Sequence, residues 1–203
     1  LSGADPVELA ELVHELIASR RNVSPKRLVE PGPDEAQQAR IFAAAAAAPD
    51  HGEITPWRFV IVPTEQRPRL AEAFALALTD RDAQATPVQV ESAREKAYRA
   101  PLLVLAVARL GAADPDIAPF ERLVSLGCAL QNMLLSAHSM GLGCGLTSGQ
   151  AMTSPRLREL FALAEGEAAV CCINIGTVAK HKPGRTRPAV QQFVSRLAPV
   201  AAQ

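Results

Sequence analysis

Two groups of arginines lie near opposite ends of the 203-residue chain. Arg20 and Arg21 precede Asn22 near the N-terminus, whereas Arg185 and Arg187 lie in the C-terminal tail. A guanidinium group offers a phosphate two parallel hydrogen bonds together with a positive charge. Each group alone also fits a solvated basic patch, and Arg20 and Arg21 suit the C-terminal end of a helix. If the fold brings the two groups together, they form a site for one anion.

A loop that leads into a strand, residues 48–62, is the second candidate for a binding element. Pro49, Gly52 and Pro56 resist helix formation, so the first part is predicted to be irregular. Phe59 to Val62 is an aromatic and β-branched run, which predicts a strand. Loops that enter buried strands often present binding groups on a rigid scaffold. We therefore expect this loop to form one wall of a cofactor crevice.

Other motifs exclude several kinds of site. Gly141, Gly143 and Gly145 follow a predicted helix and precede a strand, which reverses the order of a dinucleotide-binding fingerprint. P-loop, H-E-x-x-H and G-x-S-x-G motifs are absent from the sequence. The four histidines, of which two are predicted to be structural residues within helices (His14 and His138), show no metal-ligand spacing. The sequence predicts no metal site.

Apolar periodicity and helix caps predict alternating helices and strands. The predicted helices span residues 5–19, 34–48, 65–78, 91–97, 120–140 and 154–163. The predicted strands span residues 59–62, 102–107, 168–176 and a short stretch after Leu142. The run at 102–107 is apolar at every position, which predicts a central strand buried on both faces. Residues 79–90 are predicted to form a polar, mobile connection. We expect one domain over residues 1–203, since no linker or repeat interrupts the pattern.

Composition excludes several classes of partner. The chain has 21 basic and 21 acidic side chains, a balance that favours neither nucleic acid nor an anionic membrane as a partner. No apolar run approaches the roughly 20 residues that span a bilayer, and the polar N-terminal segment shows no secretory signal. The four cysteines include no C-x-x-C pair, and adjacent Cys171 and Cys172 point to opposite faces of a strand. Reduced structural thiols and a cytoplasmic location are expected.

Taken together, these motifs resemble the flavin-dependent nitroreductase family, and within it the small branch that has an A-P-D-H loop. The resemblance extends from about Leu9 to Pro188, and the A-P-D-H loop followed by Pro-Trp is its most specific part. The matching segments are Ser19-Arg20-Arg21-Asn22, Ala48-Pro49-Asp50-His51, Pro56-Trp57-Arg58-Phe59, the Gly145–Gly149 turn, Ile175-Gly176-Thr177 and Arg185-x-Arg187-Pro188.

The resemblance implies an α+β fold, a mixed sheet flanked by helices, in an entwined homodimer with FMN at the subunit interface. Arg20, Arg21, Arg185 and Arg187 would hold the FMN phosphate, and Asn22 would bind the ribityl chain or the pyrimidine edge. Pro49 and His51 would line the ring from the partner subunit. Leu146, Thr147 and Ser148 would pack on the flavin near its N5 edge. The tail, about residues 188–203, would pack on the partner.

Four residues, at three places in the sequence, depart from the family pattern. Asn22 replaces the usual serine, and Ser24 stands where many larger relatives have a lysine near the flavin pyrimidine. Leu146 and Thr147 replace a tryptophan and an arginine of the close branch, so the substrate preference of that branch does not transfer to this chain.

The predicted function is an FMN-dependent oxidoreductase with a ping-pong mechanism. NAD(P)H would supply a hydride, and a flat acceptor such as a nitroaromatic or a quinone would be reduced. No side chain is assigned as a catalytic acid or base. Two alternatives remain at this point: an FMN carrier or sensor without turnover, and a flavin-free interaction dimer.

Overall fold

The computed structural model describes residues 5–111, 116–181 and 186–197. Within these ranges the chain forms six α-helices and five β-strands. The helices are α1 (Pro6–Ser19), α2 (Glu35–Ala46), α3 (Arg67–Arg81), α4 (Pro87–Arg94), α5 (Pro119–Ser139) and α6 (Pro155–Leu160). The strands are β1 (Leu28–Val29), β2 (Trp57–Ile61), β3 (Leu102–Arg109), β4 (Gly143–Thr147) and β5 (Glu167–Val178).

Local caps explain why the helices begin and end near the predicted positions. The Asp5 carboxylate accepts a hydrogen bond from the Val7 N–H at 2.9 Å, which starts α1. Asp34 and Gln37 form a reciprocal capping box at the start of α2. Gly141, which follows the C-cap residue Met140 of α5, adopts a positive φ of 78°, a backbone conformation that glycine tolerates well.

The prediction of a mobile connection over residues 79–90 is wrong at both ends, and only residues 82–86 connect the two helices. Helix α3 continues to Arg81, and α4 begins at Pro87. Thr86 caps α4 through a capping box with Gln89. A threonine followed by proline is a helix-start signal, but the polar composition of this segment hides the short apolar face of α4.

Strand β5 organises the sheet because it pairs with three others. Strand β5 pairs with β3 from Glu167 to Ile175, with β4 from Cys172 to Gly176, and with β1 at its end. Strand β2 pairs with β3. These pairings are all antiparallel. The parallel element of the described sheet is an isolated bridge between Asn22 and Cys144.

The sheet separates two apolar clusters, and β3 contributes to both. Leu102, Val104, Ala106 and Ala108 face the cluster that includes α2 and α5. Leu103, Leu105 and Val107 face the cluster that includes α3, α4 and α6. Side chains alternate across a strand, so β3 is buried on both faces as predicted. Cys171 and Cys172 lie in different clusters for the same reason.

The α+β fold class predicted from the sequence is confirmed. In the described ranges, no helix combines enough length and apolarity to cross a membrane.

One ion pair ties β2 to the start of β5. Arg58 Nε donates to Glu167 Oε1 and Arg58 Nη2 donates to Glu167 Oε2, each at 2.7 Å. The Glu167 side chain is only 12% exposed. The hydrogen bonds from Arg58, helped by the Ala164 N–H, lower the pKa of Glu167 to about 2.

We expect the ion pair between Arg58 and Glu167 to make the free energy of unfolding depend on pH in the acid range. Because the folded pKa of Glu167 lies below its ordinary value of 4.5, its stabilising contribution is complete above that value and disappears as pH falls towards about 2. Glu167→Gln should lower the free energy of unfolding by about 2 kcal/mol at neutral pH, and by progressively less under acid conditions. Urea titrations across this pH window measure the difference. Exposed Glu65→Gln is the control, and a deficit for Glu167→Gln that is constant with pH would contradict the assignment.

Candidate functional site

A cavity of about 780 Å³, here called cavity A, lies where the C-terminal ends of α1 and α5 meet the start of β4. Its volume is within the range of about 300–1,000 Å³ that small-molecule sites occupy. Its lining includes four arginines, two histidines, an amide and an apolar side chain. These are Arg20, Arg21, Arg27, Arg187, His138, His181, Asn22 and Leu146.

The two ends of the chain meet at this cavity. Helix α1 ends at Ser19, so Arg20 and Arg21 leave the helix directly at the opening. Arg187 Nη2 donates to the Arg20 carbonyl oxygen at 2.9 Å and to the Ala18 carbonyl oxygen at 3.5 Å. A cation is favourable beside the free carbonyls of a helix end. This contact therefore explains how the tail is positioned. Arg185 lies outside the described residues.

Cavity A is strongly cationic. None of its described lining residues carries a carboxylate. The Nε atom of Arg20 is buried and has no hydrogen-bond partner among the described residues. A buried donor without a partner is costly, so this atom indicates an acceptor that the described residues do not provide.

His138 lies in the same cationic surroundings, on the last turn of α5. Burial, and secondarily the Arg20 charge, lower the pKa of His138. His138 Nε2 and Ser19 Oγ form a hydrogen bond of 2.9 Å. Burial raises the pKa of the nearby Cys144 thiol to about 11, against an opposing effect of Arg20. Cys144 is consequently an inert core residue, whereas the lowered pKa of His138 favours its neutral form at the wall of cavity A.

Backbone contact between residues 22–23 and β4 holds the cavity wall in place. The Val23 N–H donates to the Cys144 carbonyl at 2.9 Å, and the Leu146 N–H donates to Asn22 Oδ1 at 3.0 Å. A Cβ atom on Gly145 would overlap the Val23 carbonyl oxygen. The Asn22 oxygen is thus committed to β4, while its amide nitrogen has no partner among the described residues and remains available to a ligand.

Thr147 and Ser148 line a second cavity of about 750 Å³, here called cavity B. They lie on the sheet face of α3, α4 and α6, where Ser24 also contributes to the lining. Asn174, only 1% exposed, donates through Nδ2 to Thr147 Oγ1 at 3.0 Å. The Thr147 hydroxyl hydrogen is therefore left to donate elsewhere. Ser148 Oγ instead donates to the Val170 carbonyl at 2.9 Å.

Pro49 and His51 line neither cavity of their own chain. Both are exposed. His51 Nδ1 lies 2.9 Å from Glu121 Oε2 at the start of α5. Asp50 Oδ2 accepts from the Thr55 N–H at 2.7 Å, while Asp50 Oδ1 is buried without a partner among the described residues. The loop is thus held by its own contacts and presents Pro49 and His51 outwards.

The sequence-predicted site residues fall into three sets. The lining of cavity A contains Arg20, Arg21, Asn22, Leu146 and Arg187. The lining of cavity B contains Thr147 and Ser148. Pro49 and His51 are exposed and line neither cavity. Sequence reasoning missed His138 and Arg27 as lining residues. No local signal distinguishes His138 from a structural helix histidine, since its role depends on the distant ends of the chain.

A phosphate group fits cavity A. The clustered guanidinium groups, the absence of carboxylates from the described lining, and the buried unpartnered Arg20 Nε all match an anionic acceptor. In the described ranges, no group of His, Cys, Asp and Glu side chains could hold a metal ion. The α+β fold thus carries, at the edge of its sheet, a cavity whose described lining suits an anionic group.

Comparisons with known proteins give the family. Residues 17–177 match the model of the nitroreductase family. A Haemophilus influenzae protein named "Putative NAD(P)H nitroreductase" is 32% identical over 165 residues, which cover 80% of this chain and 86% of that protein.

Two solved structures share the fold. A nitroreductase-like family protein from Bacillus cereus has a TM-score of 0.79 at 20% identity, covering 91% of this chain and 95% of its own. A point mutant of NfnB, an FMN- and NADPH-dependent nitroreductase from Sphigopyxis sp. strain HMH, has a TM-score of 0.69 at 17% identity, covering 90% and 97%. The chain belongs to the nitroreductase family, and it is an enzyme of the nitroreductase type.

The close approach at Gly145 predicts the effect of one added methyl group. Gly145→Ala should lower the free energy of unfolding by about 1–3 kcal/mol, because the Val23 carbonyl must move and the bridge between Asn22 and Cys144 must weaken. Gly127→Ala on α5 is the matched control, since its Cβ would meet nothing within 4 Å and alanine favours helix by about 1 kcal/mol. Thermal and urea unfolding of both variants test the expectation. Equal free energies of unfolding for the two variants would show that Gly145 is not tightly packed against the Val23 carbonyl.

Proposed function

We propose that the protein is an FMN-dependent oxidoreductase that takes a hydride from NAD(P)H and reduces a flat acceptor, such as a nitroaromatic or a quinone, by a ping-pong mechanism. The convergence of Arg20, Arg21 and Arg187 on a cavity with no carboxylate in its described lining is the observation that carries this proposal. The nitroreductase family and its FMN- and NADPH-dependent structural neighbour support the choice of cofactor.

The residues of cavity A would hold the cofactor by its phosphate. Arg20, Arg21 and Arg187 would donate charge-assisted hydrogen bonds to the phosphate oxygens, and the buried Arg20 Nε would gain the partner that it lacks. The free amide nitrogen of Asn22 would donate to the ribityl chain or to the pyrimidine edge. Arg185, outside the described residues, is proposed to join the phosphate contacts.

The edge of β4 would orient the ring. Leu146 provides an apolar contact beside cavity A, while the Thr147 hydroxyl, oriented by Asn174, is available to donate on the other side. When bound, FMN would supply the redox chemistry, since it accepts a hydride from NAD(P)H and passes two electrons and a proton to the acceptor. The chain would bind the cofactor, orient its ring and exclude water from it. No side chain is assigned as a catalytic acid or base.

A homodimer is the second part of the proposal, and exposed apolar side chains support it. No residue of α1 is buried, although Val7, Leu12, Val13 and Ile17 form an apolar series on it. More exposed apolar residues occur at the start of α5 and in the tail: Phe120, Leu123, Val124, Val190, Phe193, Val194 and Leu197. Apolar groups exposed together mark protein interaction surfaces.

These residues, here called the apolar surface, indicate how the partner would complete the site. The loop with Pro49 and His51 reaches α5 through Glu121, next to Phe120 of the apolar surface. A second copy packed there would receive Pro49 and His51 against its own flavin. The tail from residue 188 is proposed to pack on the partner, and residues 1–203 are proposed to form one domain in each subunit.

FMN binding by the purified protein tests the cofactor assignment. The protein should show the visible spectrum of oxidised flavin after addition of FMN, and Arg20→Ala combined with Arg187→Ala should weaken FMN binding by at least about tenfold, since a hydrogen bond to a charged group contributes about 1.5–3 kcal/mol. Fluorescence titration with FMN measures the affinity.

The matched control for this titration is Arg40→Ala combined with Arg69→Ala, which removes two exposed guanidinium groups outside cavity A. An unchanged FMN affinity in the Arg20 and Arg187 variant would remove the phosphate site. FMN binding without NAD(P)H oxidation in the presence of nitroaromatics and quinones would refute turnover.

The oligomeric state tests the dimer. Light scattering should give a mass of twice the 21.5 kDa of one chain. Leu12→Glu combined with Phe193→Glu should shift the mass towards that of one chain and weaken FMN binding, because a charge is expensive to bury in an apolar interface. Val88→Glu, at an apolar residue that is 78% exposed on α4, should leave the mass unchanged. A wild-type monomer that binds FMN tightly would overturn this part of the proposal.

A further inference from the structure

The contact between His51 and Glu121 joins residues that are 70 positions apart in the sequence. His51 begins a 3₁₀ turn, and Glu121 lies in the first turn of α5. His51 Nδ1 is 2.9 Å from Glu121 Oε2. An ionised carboxylate accepts hydrogen bonds but donates none, so the hydrogen of this bond lies on Nδ1. The neutral imidazole therefore carries its lone pair on Nε2, which makes no hydrogen bond within the described residues.

The stability of a single subunit does not account for this pair. The side chain of His51 is 69% exposed and that of Glu121 is 38% exposed, and exposed ion pairs contribute little free energy. The loop has other supports, because Asp50 Oδ2 accepts from the Thr55 N–H and Arg109 Nη1 donates to the Thr55 carbonyl at 3.4 Å. Removal of the Glu121 carboxylate should therefore leave the loop folded.

The backbone between His51 and Pro56 is strained. Gly52, Glu53 and Thr55 have positive φ values of 75°, 53° and 45°. Positive φ is unfavourable for residues other than glycine, above all for a β-branched residue such as threonine. Strained segments of this kind cluster at ligand sites, where the surrounding structure holds them in place. The conformation of this loop is therefore that of a segment that contacts a ligand.

The pair lies where the proposed second copy would pack. Glu121 follows Phe120, which is 68% exposed, and precedes Leu123 and Val124 of the apolar surface on the same helix. A second copy on this surface would shield the pair from water. Because a hydrogen bond is electrostatically stronger away from water, the contact would then restrain the imidazole of His51 more tightly than it does in one subunit.

We propose that Glu121 is a positioning residue, which holds the imidazole of His51 so that Nε2 accepts a hydrogen bond from the flavin that the partner subunit binds. This inference rests on the proposed function, because the flavin and the dimer belong to that proposal. A carboxylate that accepts from one ring nitrogen of a histidine fixes the tautomer and thereby the role of the other nitrogen. Glu121 itself does not contact the cofactor, and neither residue transfers a proton.

FMN titration tests the coupling between the two residues. His51→Ala and Glu121→Ala should each weaken FMN binding by about fivefold to tenfold, between the effects of an exposed ion pair and of a hydrogen bond to a charged group. The double variant should bind FMN no more weakly than His51→Ala, because Glu121 acts only through His51. Glu121→Gln should retain most of the affinity, since its amide oxygen still accepts from Nδ1.

The matched control is Glu35→Ala, which removes an exposed acid from the first turn of α2 and should leave the FMN affinity unchanged. Additive losses in the double variant, or an equal loss in Glu35→Ala, would overturn the inference. Unchanged FMN affinity in Glu121→Ala would overturn the inference alone. A wild-type protein that binds no FMN would refute the proposed function and this inference together.

Mixed dimers, isolated with two affinity tags, test whether the pair serves the site of the partner. One subunit carries Arg20→Ala and Arg187→Ala, and the other carries His51→Ala. One complete site then combines the arginines of the second subunit with the His51 of the first. Glu121→Ala in the first subunit, beside its intact His51, should weaken FMN binding at this site, whereas the same change in the second subunit should have no effect. Equal losses from both placements would show a general structural role of Glu121 and would overturn the inference.

Discussion

The approach of residues 22–23 to β4 is the constraint on which both cavities depend. Two hydrogen bonds and the absence of a side chain at Gly145 allow Val23 to lie directly against the strand. The residues before this contact, Arg20 and Arg21, line cavity A, and the residue after it, Ser24, lines cavity B. A short pairing between two segments more than a hundred residues apart thus sets the geometry of the whole candidate site.

Charge is segregated in this protein although its total is zero. The Glu167 carboxylate is neutralised by Arg58, and that of Asp80 by Arg156. Because these carboxylates pair with arginines outside the two cavities, the arginines of cavity A and the Lys96 side of cavity B have no carboxylate neighbours in the described lining. The cationic groups that would bind an anion are therefore in place before the ligand binds. The buried Arg20 Nε, which has no partner among the described residues, shows that this arrangement costs free energy without a ligand.

The apolar surface includes exposed side chains of α1, the helix that leads to cavity A. Helix α1 ends at the arginines of cavity A, yet it buries none of its own residues. Packing rather than propensity normally stabilises a short helix, so the exposed apolar residues of α1 support the proposed homodimer. A second copy would supply that packing, and it would stabilise the helix end from which Arg20 and Arg21 extend. Cofactor affinity and subunit association are then expected to be coupled.

The sequence by itself determined the element types, because caps and apolar periodicity are local. It predicted α1 from Asp5-Pro6, the doubly buried β3 from its unbroken apolar run, and the arginine groups from their chemistry. It missed the start of α4, whose cap lies in a polar segment. Only the tertiary structure decided that Arg187 meets Arg20, that His138 lines cavity A and that Lys96 lines cavity B. These contacts join residues distant along the chain, so they depend on sheet register and helix packing, which no local pattern encodes.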